Sequence, residues 1–239
     1  MHPVEYFRRN STLAALVLSS CVSLGILLVH TASSHSFMYW YLGWNLLLAW
    51  LPLLFIVFLK RSLEYNPWLT LRPMIWTVLW LAFLPNSFYI VSDLLHLQSV
   101  STTDILYDTV MMVSFMLNGL LLGYISLYQV HQELKKRLSS VTSTNSLISL
   151  SLLVCSFAIY LGRDLRWSSW DLIVNPQGIL FDISNQIIDP RHHLQAFTTT
   201  LMFFVLLGTF YLVICSIVNN LRSTKRNQIT KSEILKGIS

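Results

Sequence analysis

The chain has 239 residues, of which 54% are hydrophobic and only 11% are charged. Soluble domains carry about 25% charged residues, so this composition excludes an ordinary soluble protein of this length. The net charge of +5 would suit a nucleic-acid-binding protein if the basic residues formed one patch. They lie instead in short clusters between apolar runs, as in membrane proteins. We therefore predict the lipid bilayer, and not nucleic acid, as the partner.

Six apolar stretches are long enough, or nearly so, to cross about 30 Å of hydrocarbon. The first resembles a signal peptide, but its apolar run continues past Cys21 to Val29, so we expect an uncleaved helix. We predict an all-α integral membrane protein with one membrane domain over 1–239 and a basic cytoplasmic tail at 221–239. The predicted spans are 13–29, 37–59, 73–91, 105–128, 147–161 and 197–218.

The basic residues predict the orientation. With the N-terminus in the cytoplasm, thirteen of the sixteen basic residues fall in inner segments, and Arg163, Arg166 and Arg191 fall outside. This bias predicts six spans with both termini in the cytoplasm, in a cell (cytoplasmic or inner) membrane. All four Glu fall on the inner side, and all seven Asp fall on the outer side or at an outer helix end. The outer face is therefore where we expect a polar site.

One candidate wall of that site is the stretch Leu84–Leu97. Four polar residues recur there at i, i+3, i+7 and i+10, and so share one helix face: Asn86, Tyr89, Asp93 and His96. Pro85 indicates either a locally repaired kink or a kink that opens a polar cavity. Asp93 and His96 lie one turn apart and could hold a divalent metal, although two ligands are a weak signal.

A second candidate is Asp108, at the start of the fourth predicted span. An ionisable residue inside an apolar run usually faces the protein interior or a wet cavity. We therefore predict that Asp108 belongs to a site or a polar network. Asn118 is expected to bond a neighbouring helix. His30 and His35 flank the first outer turn and are predicted to be solvated at the interface.

The third candidate is the polar cluster Gly162–Asp171, which opens the longest outer loop. Arg163 and Arg166 are one turn apart, and Asp171 ends the cluster. The arginines suit either a salt-bridge network with the outer aspartates or the binding of a phosphate group. Apolar residues alternate with polar ones along 165–188, which predicts short interfacial helices in this loop.

These motifs together resemble a bacterial family of multi-pass membrane proteins, catalogued as domain of unknown function 1361. The resemblance rests on Leu84–Tyr89 with Asp93–Leu97, on Tyr107-Asp108, and on Gly162–Asp171 followed by Asn175-Pro176. Ser168 departs from it, because the family pattern has Asn at that place. The resemblance implies a bacterial inner-membrane or cell-membrane protein and implies no activity.

Three classes of function stay open. The first is an enzyme acting on a lipid-linked or phosphate-bearing envelope substrate. The second is a transporter, which the lack of charge near mid-span disfavours. The third is a structural or partner-binding subunit with unknown protein partners. For the enzyme, the predicted catalytic residues are Asp93, His96 and Asp108, with Asp93 and His96 as the metal pair. The predicted substrate-binding residues are Asn86, Tyr89, Arg163, Arg166 and Asp171.

Overall fold

The computed structural model describes residues 3–35, 37–91, 105–164 and 194–236, with isolated positions between 167 and 184. All regular structure in these ranges is helical. The helices are α1 (Pro3–Ser34), α2 (Trp40–Leu63), α3 (Leu71–Tyr89), α4 (Ile105–Arg137), α5 (Val141–Asp164) and α6 (Leu194–Lys236). The helical fold class is therefore confirmed. The interfacial helices predicted along 165–188 fall largely outside the described residues.

Five helices contain segments long and apolar enough to cross a membrane: Ser11–Ser34, Trp40–Leu63, Ile105–Arg137, Val141–Arg163 and Leu194–Thr224. The α3 helix is not among them. Its 19 residues would reach about 28 Å, but Arg72, Asn86 and Ser87 lower its hydropathy. A multi-pass membrane protein is thus supported with five spans, while a sixth span over 73–91 stays a prediction.

Helix ends differ from the predicted spans mainly where the chain has no helix breaker. The α6 helix has 43 residues and continues through most of the predicted tail to Lys236, because neither Gly nor Pro occurs between Gly208 and Lys236.

Between α1 and α2 the chain reverses within a few residues. His35 adopts φ 50° there, a left-handed conformation in which His is enriched. This turn brings the end of α1 beside the start of α2.

The centre of the bundle is formed by α2, α3 and α4, with α1 against α4 and α5 against α6 and α3. Two glycines let α4 approach α3 closely. A Cβ placed at Gly119 would lie 2.6 Å from the carbonyl oxygen of Ser87, and one at Gly123 would lie 2.8 Å from the Phe88 ring. Pairs of small residues four apart allow such close packing of membrane helices. We call this contact the glycine seam.

Candidate functional site

Three buried polar side chains meet where α1 ends and where α2 and α4 begin. His30 lies in the last turns of α1, Tyr39 directly precedes α2, and Asp108 lies in the first turn of α4. Tyr107 is the neighbour of Asp108 and covers the same place. We call these four residues the Asp108 network.

The carboxylate of Asp108 is approached by both of the other polar groups. The Tyr39 hydroxyl donates a hydrogen bond to Oδ2 at 2.9 Å. Nε2 of His30 lies 3.0 Å from Oδ1, but Oδ1 has no well-aligned hydrogen bond from the described residues. We therefore describe the His30 contact as a close ion-pair approach. Asp108 is only 2% exposed and His30 only 8%, so the contact is shielded from solvent.

Aromatic rings fix the His30 imidazole from two sides. The Tyr107 ring stacks on it at 5.6 Å, and the Tyr39 ring meets it edge-on at 5.2 Å. The Tyr107 hydroxyl donates to the Ile26 carbonyl at 2.7 Å, which holds that ring in place. Nδ1 of His30 is buried and has no hydrogen-bond partner among the described residues. The imidazole is thus oriented through one nitrogen and leaves the other unused.

Tyr39 serves as the donor in this network. Burial, and then its hydrogen bond to the Asp108 carboxylate, raise the pKa of Tyr39 to about 12. The phenol therefore stays protonated near neutral pH and keeps donating to Asp108.

Asn86 and Tyr89 contact other parts of the bundle. The Asn86 amide donates to the Phe83 carbonyl at 3.2 Å, within its own helix. The Tyr89 ring packs on α5, where a Cβ at Gly162 would lie 3.2 Å from the ring and 3.3 Å from the Trp167 carbonyl oxygen. Arg163 is half-buried beside this contact. The predicted residues Asp93, His96, Arg166 and Asp171 lie outside the described residues.

The described candidates form two separate groups. Ser87 and Phe88 pack on α4 at the glycine seam, and Gly119 follows Asp108 by eleven residues on that helix. Eleven helical residues span about 16 Å. The segment that carries Asn86 and Tyr89 is therefore displaced along the bundle from Asp108.

Metal ligands do not cluster in the described ranges: no three His, Cys, Asp or Glu side chains there lie close enough to hold an ion. The predicted metal pair, Asp93 and His96, falls outside those ranges. The metal hypothesis therefore stays a prediction.

One known protein family matches most of the chain. Residues 44–215 match the family described as "Protein of unknown function (DUF1361)", which is more than half of the chain. The chain belongs to the DUF1361 family. No curated protein and no solved structure matches it. The DUF1361 match includes Asp108 and begins after His30 and Tyr39.

Sequence reasoning on this DUF1361 chain found Asp108 but missed its partner. Asp108 lies in the interior, as predicted, and its catalytic role stays a prediction. The expectation that His30 is solvated is wrong, because His30 is buried against Asp108. The two residues are far apart in the chain, and no local pattern pairs them. The expectation for Asn118 is confirmed, since its amide donates to Ser23 Oγ at 2.8 Å and accepts from Ser19 Oγ at 2.7 Å.

Proposed function

We propose that this DUF1361 protein is a six-span integral membrane protein of the cell membrane, with both termini in the cytoplasm. The distribution of thirteen of sixteen basic residues supports this orientation. The α3 helix would be the sixth span, because it packs between α2 and α4, which both qualify as spans. In this orientation the Asp108 network lies near the outer face.

We further propose that the Asp108 network is a proton-transfer site. The observation that carries this is the His30 imidazole, whose Nε2 lies 3.0 Å from a buried carboxylate while Nδ1 has no partner among the described residues. A carboxylate beside one ring nitrogen fixes the tautomer and stabilises the imidazolium. Nδ1 is then the atom that accepts a proton from a hydroxyl or a water.

The substrate class follows from the second polar group. Arg163 stands at the end of α5 beside Tyr89, and a guanidinium suits a phosphate in geometry and charge. A lipid-linked or phosphate-bearing envelope substrate is therefore the class that we propose. The predicted residues Asp93, His96, Arg166 and Asp171 lie outside the described residues.

The proton-transfer proposal is tested by nitrogen NMR of histidine-labelled protein in detergent micelles. His30→Gln assigns the signals, and His35→Gln, which removes an exposed histidine of the same turn, is the control. We expect the nitrogen shifts to show that Nε2 of His30 carries the proton and that Nδ1 is left as the acceptor. Asp108→Asn should alter the His30 signals and leave the His35 signals unchanged. A proton held on Nδ1 would contradict the proposal.

A structural role is the second candidate, and the burial of Asp108 favours it. In that case the network only ties the ends of α1, α2 and α4 together. His30→Gln, Asp108→Asn and Tyr39→Phe would then all lower the thermal midpoint, and the nitrogen shifts would not identify Nδ1 as a proton acceptor.

A further inference from the structure

A crevice of about 480 Å³ opens between α4, α5 and α6, near the basic end of α4. Its volume falls in the range of small-molecule sites. The deeper wall is apolar and includes Leu152, Phe204 and Leu212. The Asp108 network lies in the first turn of α4 and does not contribute to the lining.

Polarity changes along the depth of this crevice. Lys135, Asn145 and Asn219 line the end nearest the basic turn of α4. Leu152 follows Asn145 by seven residues, and Val205 precedes Asn219 by fourteen. These separations correspond to about 10 to 20 Å along the helices. The crevice is therefore polar and basic at its mouth, near the helix ends, and apolar farther along the helices, inside the membrane.

A buried histidine nitrogen lines the mouth. His131 is 6% exposed, and its Nδ1 lies 2.6 Å from the Tyr211 hydroxyl. Its Nε2 has no well-formed hydrogen bond among the described residues, although the Asn145 side chain faces the ring. A polar atom buried without a partner costs free energy unless a ligand satisfies it. A ligand oxygen that displaces the Asn145 side chain would satisfy Nε2.

The charge at the mouth is positive. Lys136 and Arg137 both pair with Glu133. Lys135 lines the crevice and makes no ion pair with any described residue. Basic pockets between membrane helices on the cytoplasmic side bind anionic lipid headgroups.

The crevice also has room for more than a headgroup. Gly208 lies on its wall, and a Cβ placed there would meet nothing within 4 Å. An adjoining cavity of about 510 Å³ shares Asn145, Ser149 and Phe204 with it. Because half of the residues that line this second cavity are polar, we assign the acyl chains to the apolar wall of the crevice itself.

We propose that this crevice binds an anionic phospholipid of the leaflet at the basic end of α4. The phosphate contacts Lys135 and His131, and the acyl chains lie along Leu152, Phe204 and Leu212. The inference does not depend on the proton-transfer site.

The test is native mass spectrometry of the full chain, titrated with dioleoylphosphatidylglycerol or dioleoylphosphatidylcholine. We expect phosphatidylglycerol to bind more tightly. Gly208→Leu fills the crevice and should weaken binding about tenfold or more, while Gly25→Leu, where a Cβ also meets nothing within 4 Å, should not. Lys135→Gln should weaken phosphatidylglycerol binding about fivefold, the effect of about one lysine near a membrane surface. Lys136→Gln is the control, because it removes the same charge from a residue that does not line the crevice.

Several results would overturn the proposal. Equal binding of the two lipids would remove the anionic preference, and wild-type binding by both Gly208→Leu and Lys135→Gln would remove the site. Displacement of the lipid by inorganic phosphate alone would identify a free anion as the ligand. A dimer that Gly208→Leu dissociates without changing lipid binding would identify a second copy of the chain as the occupant.

Discussion

The two buried histidines of this bundle share their local chemistry and differ in what surrounds them. His30 and His131 each contact a polar partner through one ring nitrogen, and each leaves the other nitrogen without one among the described residues. His30 is enclosed by two tyrosine rings and faces Asp108. His131 borders an open crevice whose charged lining residue is Lys135. A negative neighbour in a closed space suits a proton, whereas a positive neighbour beside a cavity suits an anion.

Burial alone does not assign a role to a polar side chain. Both histidine residues are buried. The sign of the nearest charge and the free volume beside the ring separate the two hypotheses. Each of the following changes alters one of these properties, or the helix contact that lies between the two regions.

The largest effect is expected at the glycine seam. In Gly119→Leu even the first side-chain carbon would lie 2.6 Å from the Ser87 carbonyl oxygen, so α3 cannot keep its place on α4. We expect no folded, monodisperse protein in detergent by size-exclusion chromatography. Gly25→Leu makes the same change where a Cβ meets nothing within 4 Å, and should elute as wild type. A folded Gly119→Leu protein would show that the two regions do not need this seam.

Removal of the acid should destabilise the closed region. Asp108→Ala leaves the Tyr39 hydroxyl buried without its acceptor and removes the carboxylate that Nε2 of His30 approaches. A buried donor costs about 1–3 kcal/mol when it has no partner. SDS-driven unfolding in mixed micelles should register a loss of that order, with lipid binding in the crevice retained for the protein that stays folded. An unchanged stability would mean that water enters the network.

A matched pair of hydroxyl deletions compares the regions directly. Tyr39→Phe removes a hydrogen bond to a charged group in a closed space, worth about 1.5–3 kcal/mol. Tyr211→Phe removes the hydroxyl beside His131, a neutral contact worth about 0.5–1.5 kcal/mol. The same unfolding assay should therefore rank Tyr39→Phe as the more harmful. The reverse order would indicate that the crevice is the more tightly closed of the two.

The smallest effect is a pH dependence at Tyr39. Its pKa is raised from about 10 to about 12 in the folded protein. Stabilisation from a raised pKa is fully present below the ordinary value and is lost as the pH rises through the folded value. The difference in thermal midpoint between wild type and Tyr39→Phe should therefore shrink between about pH 10 and 12. A constant difference would exclude Tyr39 as the titrating group.

Much of the helical architecture follows from hydropathy alone. The predicted spans 13–29, 37–59, 105–128, 147–161 and 197–218 coincide largely with the five qualifying helices. The apolar runs predict them because a lipid-facing helix must be apolar around most of its surface. The ends of the helices were less predictable, because a helix such as α6 continues beyond its apolar segment when no Pro or Gly stops it.

The polar sites were less predictable, because their members come from different helices. Asp108 could be found, since a carboxylate inside an apolar run needs an interior partner. Its partner His30 could not, because pairing depends on how α1 packs against α4. The crevice also depends on the spacing of three helices. The glycine seam did have a sequence signal, the spacing of Gly119 and Gly123.

The composition of α3 has a consequence for the order of biogenesis. Insertion of a lone helix into a membrane depends on its own hydropathy, and α3 is the one helix of the six described that does not qualify. Its polar groups are satisfied by neighbours: the Ser87 hydroxyl bonds the Ala49 carbonyl of α2, and its backbone fits against Gly119 of α4. The contact with Gly119 exists only after α4 has been synthesised. The α3 helix would then settle into the bilayer late, as part of a three-helix unit.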